Sequence, residues 1–133
     1  MIRRVNHIGI AVRSLEESVP LYRALGLEPS GREEISSEMV RVAFFAAGET
    51  RIELLEPTTP ESPIARFLAK RGEGLHHICL EVEDIRATMA ELSGQGFRLL
   101  SDEPKAGADG SQVCFIHPKS AGGVLVEICE VRE

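Results

Sequence analysis

Apolar and polar positions along this chain follow two rhythms, a strand-like run and a helix-like run, and the whole pattern occurs twice. Val5 to Val12 (VNHIGIAV) is β-branched and apolar, bounded by Asn6 and Ser14, and predicts a strand. Ser14 with Glu17 three positions on is a capping-box pair that opens a helix. Leu15, Val19, Tyr22 and Leu25 then recur at helical spacing, and Gly26 ends the run. Pro20 falls inside this helix and weakens its middle turn. Leu27 to Ser37 is polar and mixed, the pattern of an exposed edge strand. Met39 to Ala46 and Thr50 to Leu55 predict two further strands around a tight turn at Ala47-Gly48-Glu49, with Pro57 closing the second. The first half therefore reads β-α-β-β-β.

Thr58 to Gly74 predicts a linking helix at about 60–72, with Pro60 and Pro63 near its start, Ile64, Phe67 and Leu68 on its apolar face and Gly72 and Gly74 at its end. The pattern then returns. Leu75 to Val82 predicts a strand, and Asp84 caps a helix carrying Ile85, Met89 and Leu92 that stops at Gly94 and Gly96. Phe97 to Leu100 predicts the start of a strand and Asp102 to Gly110 a loop. Ser111 to Ile116 and Val124 to Val131 complete the half.

The repeat is visible in residues as well as in rhythm. VNHIGIAV matches HHICLEV with His7 on His77, 70 residues apart (77 − 7). TRIELLEP matches GVLVEICE with Glu53 on Glu127, 74 apart (127 − 53). Each half thus brings one histidine on its first strand and one glutamate on its last. A carboxylate within an apolar strand is costly unless it is paired or binds a metal, although alternation could also turn it to solvent. Two imidazoles and two carboxylates suit divalent Mn, Co, Ni, Zn, Fe or Mg without choosing among them. Four protein donors leave positions open on an octahedral ion, which favours catalysis over a purely structural role. His76 should face away from His77 across the strand, in a structural or supporting role. His117, before Pro118, is a candidate to line a ligand pocket.

Composition narrows the partners. At 133 residues the chain is of single-domain size, 1–133, with modules at about 1–57 and 75–133; halves of about 60 residues would bury little surface alone. The formal charge of −6 argues against nucleic-acid binding through a basic face. Cys79, Cys114 and Cys129 lie in apolar runs without CxxC spacing and read as free, buried thiols of a reducing compartment. With no apolar run near the ~20 residues of a membrane span and no signal-peptide pattern, the expectation is a cytoplasmic protein with no membrane partner.

The strands NHIGIAV and HHICLEV, the linker ESPIARFLAKRGEGLHHICLEV and the tail DEPKAGADGSQVCFIHPKSAGGVLVEICE resemble the methylmalonyl-CoA epimerases, in the vicinal oxygen chelate superfamily that also holds glyoxalase I enzymes and extradiol dioxygenases. The resemblance implies an α+β fold, glyoxalase-like, of paired βαβββ modules with a mixed curved sheet and helices outside. It implies a homodimer, an acyl-CoA substrate and one divalent metal ion (Co, Mn, Ni, Zn or Mg) held by His7, Glu53, His77 and Glu127. The activity it implies interconverts (2R)- and (2S)-methylmalonyl-CoA by removing the α-proton, with Glu127 as base as well as ligand. Many relatives carry a second acid in a Gly-Val-x-Glu pattern, where this chain has Met39-Val40-Arg41-Val42. Val42 leaves that role unassigned; Glu53 is a candidate, with Glu38 and a water behind it. Lys70, Arg71, Lys105 and Lys119 are available for the coenzyme A phosphates. Competing activities are a glyoxalase I-type lactoylglutathione lyase, an Fe(II) extradiol dioxygenase and a metal-free ligand-binding member of the superfamily.

Overall fold

The computed structural model describes residues 1–107 and 110–132. Its elements in chain order are β1 (Ile2–Ala11), α1 (Leu15–Ala24), β2 (Glu28–Ile35), β3 (Val40–Ala47), β4 (Thr50–Pro57), α2 (Pro63–Arg71), β5 (Gly74–Val82), α3 (Ile85–Gly94), β6 (Lys105–Ala106), β7 (Gln112–Ile116) and β8 (Leu125–Glu130). The order is βαβββ twice, with α2 between the copies, as the α+β expectation has it. By contacts the chain divides into two compact units, His7–His76, and Met1–Asn6 with His77–Glu133.

In the unit His7–His76 the strands run in the order β2–β3–β4–β1. β4 lies parallel to β1 and antiparallel to β3, and β2 is the polar, exposed edge. Residues directly opposed across a ladder share a face. Register places Ala43, Phe45, Ile52, Leu54 and Ile10 on one face, where α1 covers them with Leu15 and Val19. On the other face Ala11, Val40, Val42 and Leu55 lie under Ile64 and Leu68 of α2. The Ser14 hydroxyl accepts the Glu17 N–H at 3.2 Å, so α1 starts where the capping pattern places it. α1 keeps Pro20 inside it. α2 starts at Ser62, fully buried, whose hydroxyl accepts the Ile64 N–H at 3.1 Å.

In the other unit the order runs from the start of β1 through β5–β8–β7–β6. β8 is parallel to β5 and antiparallel to β7. Leu80, Val82, Cys114, Ile116 and Ile128 pack against Ile85, Met89 and Leu92 of α3. The Asp84 carboxylate accepts the Ala87 N–H at 3.0 Å, the counterpart of the Ser14 cap. Gly26 and Gly96, again 70 apart (96 − 26), follow α1 and α3 at φ +87° and +91°, a backbone conformation that side chains disfavour.

Three local expectations change. The strand expected from Met39 begins at Val40, because Met39 takes φ 54° at the end of a short 3-10 turn and leaves the extended region. Phe97 to Leu100 is not a strand; only Leu99 forms a bridge, to Ile116, while the Arg98 N–H is taken by the Ser120 hydroxyl. The loop expected over Asp102 to Gly110 contains the two-residue β6, paired with Gln112 and Val113; Ala108 and Asp109 of that loop lie outside the described residues. No helix among the described residues is long and apolar enough to cross a membrane.

Candidate metal centre and active site

Each unit holds one of the two histidine–glutamate pairs. In His7–His76, β1 and β4 run parallel with His7 opposite Arg51 and Gly9 opposite Glu53. His7, Arg51 and Glu53 therefore share the face whose far end α2 covers. His7 Nδ1 lies 3.6 Å from Glu53 Oε2, with the two side chains 12% and 11% exposed. Glu53 stays on this face because the β4 alternation sends Ile52 and Leu54 into the α1 core.

The other unit repeats the arrangement. β5 and β8 run parallel with His77 opposite Leu125 and Cys79 opposite Glu127. His77 Nε2 lies 3.8 Å from Glu127 Oε1, again with 12% and 11% exposure. Each glutamate has a phenylalanine directly across the antiparallel ladder, Phe44 for Glu53 and Phe115 for Glu127.

These donors fit a metal ion. Both separations exceed the 2.7–3.2 Å of a direct N–H···O bond. Two donors about 2.1 Å from one ion stand about 3 Å apart when cis and about 4 Å when opposite, and both pairs fall within that span. Imidazole nitrogen with carboxylate oxygen is a borderline set that takes a divalent cation. Histidine and glutamate donors able to hold a metal ion are thus present among the described residues.

The neighbouring groups have other work. Cys79, Cys114 and Cys129 are buried thiols outside any disulfide. Hydrogen bonding to Cys129, burial and the nearby Glu127 carboxylate all push the Cys79 thiol up. His76 turns away from His77, as alternation requires, and meets the edge of Phe67 on α2 with ring centroids 5.0 Å apart. Burial lowers its pKa. His117 Nδ1 accepts the Lys119 N–H at 3.1 Å and caps the short turn Pro118–Ser120. Val42 is 1% exposed and packs among Ala11, Leu55, Ile64 and Leu68, a place for packing rather than proton transfer. Lys70 and Arg71 stand in the last turn of α2, where Arg71 lies over the Phe67 ring; Lys105 is on β6 and Lys119 in the 3-10 turn.

Sequence reading overlooked four groups. Arg51 donates to Glu53 Oε2 at 3.2 Å. Glu81, inside the apolar run of β5, is buried with Arg3, Arg4 and Asn6 around its carboxylate. Glu56 accepts the Leu15 N–H at 3.1 Å, and Glu130 the Ile85 N–H at 2.9 Å. The last two follow Glu53 and Glu127 by three residues each, a spacing present in the sequence but without meaning until the helix starts are placed.

A model of the glyoxalase/bleomycin resistance protein/dioxygenase superfamily matches residues 6–115. The ethylmalonyl-CoA/methylmalonyl-CoA epimerase of Cereibacter sphaeroides is 47% identical over 134 residues, covering 98% of this chain and 100% of that protein. The chain belongs to the methylmalonyl-CoA epimerase family of that superfamily. The human mitochondrial methylmalonyl-CoA epimerase is 45% identical, over 94% of this chain and 72% of its own length. A Streptomyces coelicolor methylmalonyl-CoA epimerase variant, in complex with 2-nitronate-propionyl-CoA, superposes with a TM-score of 0.89 at 38% identity over 100% of both chains. A hypothetical protein from Bacillus halodurans superposes at 0.91 with 47% identity, over 98% of this chain and 95% of that one.

Proposed function

We propose that this chain is a metal-dependent epimerase that interconverts (2R)- and (2S)-methylmalonyl-CoA. The observation that carries this reading is the buried histidine–glutamate pair that occurs twice, once in each unit, in a chain that matches epimerases from end to end. His7 and Glu53 with His77 and Glu127 would hold one divalent ion between them.

The substrate's C2 lies between a thioester and a carboxylate, so its proton is already acidic. When bound, the ion supplies positive charge where the thioester oxygen becomes negative as the C–H bond breaks. Glu127 takes the proton onto a carboxylate oxygen. Its neighbour His77 and, across the ladder, the apolar Phe115 flank that carboxylate. Glu53 serves as the acid that returns a proton to the opposite side of C2, because the buried Val42 has none to give. Exchange of roles between the two glutamates runs the reaction backwards. The family resemblance supports a homodimer, and coenzyme A phosphates would meet cations among Lys70, Arg71, Lys105 and Lys119.

The test is deuterium entry at C2 of methylmalonyl-CoA in heavy water, with the metal-loaded and the chelated protein. Exchange by the loaded protein alone is expected; its absence there ends the epimerase reading. Assays with ethylmalonyl-CoA, a glutathione hemithioacetal and an oxygen electrode run alongside separate a different acyl preference, a lyase and a dioxygenase.

A further inference from the structure

We propose that Arg51 recognises the free carboxylate of a malonyl-type acyl group, an inference that rests on the epimerase reading and extends it to substrate selection. Arg51 sits on β4 directly across from His7, on the face that carries Glu53. Its Nη2 donates to Glu53 Oε2 at 3.2 Å, the same oxygen that lies 3.6 Å from His7 Nδ1. Its guanidinium also lies over the Phe44 ring, 5.4 Å from the centroid. Two contacts therefore hold a long side chain in one place beside a metal-ligand pair, while 46% of it remains open to solvent. A guanidinium carries five donors in a planar fork, and a bond to Glu53 leaves an outward edge that matches a second carboxylate.

The rest of the fold does not require an arginine here. The second unit repeats the ladder with Leu125 opposite His77, so neither strand pairing nor the histidine–glutamate pair calls for a cation. Solvent on the arginine side screens the Arg51–Glu53 pair and limits what it adds to stability. The substrate does call for one. A carboxylate brought beside His7 and Glu53 meets in Arg51 a fixed positive charge, in the geometry that pairs with carboxylates through two parallel bonds. An acyl thioester without that carboxylate gains nothing from it.

Calorimetric titration of the metal-loaded protein with methylmalonyl-CoA and with propionyl-CoA, which lacks the carboxylate, tests this. Arg51→Gln should weaken methylmalonyl-CoA about tenfold or more, leave propionyl-CoA within about twofold, and leave metal affinity undiminished in competition with a chelator. Arg51→Lys should recover part of the loss, since a point charge remains without the fork. Equal weakening of both thioesters, no weakening of either, or a drop in metal affinity would overturn the proposal; the last would make Arg51 a support for Glu53. A wild-type protein that binds methylmalonyl-CoA without exchanging its C2 proton would instead fail the epimerase reading, and the binding comparison would still decide the role of Arg51.

Discussion

His77 Nε2 and Glu127 Oε1 stand 3.8 Å apart on neighbouring parallel strands, too far for a hydrogen bond and close enough to be joint ligands of one ion. The His7–Glu53 pair repeats this at 3.6 Å. If both pairs serve one ion, the protein binds one metal per chain. His7→Ala and His77→Ala should each reduce affinity by more than about 100-fold, above the range for groups that only support a ligand. Metal content after dialysis against a graded chelator measures this; two ions per chain, or an unchanged affinity in either variant, would contradict a shared centre.

Glu53 and Val42 divide the question of the second proton carrier. Glu53→Gln keeps an oxygen donor but cannot carry a proton, and should lower kcat by about 100-fold or more. Val42→Ala removes packing beneath α2, and should lower stability by about 1–2 kcal/mol with kcat within a few-fold of wild type. Urea unfolding together with the deuterium-exchange rate checks both. A Glu53→Gln enzyme of full activity would move the acid elsewhere, with Glu38 the next residue to test.

The Glu56 and Glu130 carboxylates each accept the first amide of a helix, Leu15 of α1 and Ile85 of α3. The positive end of each helix meets a negative group there. Glu130→Ala should destabilise the fold by about 1–2 kcal/mol, in the range of hydrogen bonds to charged groups, and Glu56→Ala by a similar amount. The exposed contact from Arg41 to Glu56 should add little to that difference. A melting temperature unchanged in both variants would show that water replaces these carboxylates without loss.

His76 is held below its ordinary pKa by burial beside Phe67. A lowered histidine pKa means that the unfolded chain takes up the proton first as pH falls. The stability that depends on neutral His76 is therefore complete above the ordinary value of 6.5 and lost as pH drops below it toward the folded-state pKa. With metal removed, wild type should lose thermal stability between pH 7 and about 5 more steeply than His76→Phe, which keeps the aromatic contact without the titration. Parallel melting curves across pH for the two proteins decide it.

Much of the architecture was legible in the order of residues, because it rests on local chemistry repeated at a fixed offset. Ser14 and Asp84 start helices, Gly26 and Gly96 follow them, and alternation turns His76 away from His77. Those features depend on neighbours within a few positions. The duplication also marked His7, Glu53, His77 and Glu127 as equivalent pairs.

Other features needed the folded chain, since they join residues far apart in the sequence through strand register. Parallel pairing of β1 with β4 and β5 with β8 brings each histidine to its glutamate, and no local signal states that partnership. The same register puts Arg51 beside Glu53, buries Val42 under α2, and hands Glu56 and Glu130 to helix starts about 40 residues earlier. Glu81 looked like one more position in an apolar strand until Arg3, Arg4 and Asn6 came to meet it. A carboxylate's role is set by the charges and donors around it, and in a sheet those neighbours come from other strands.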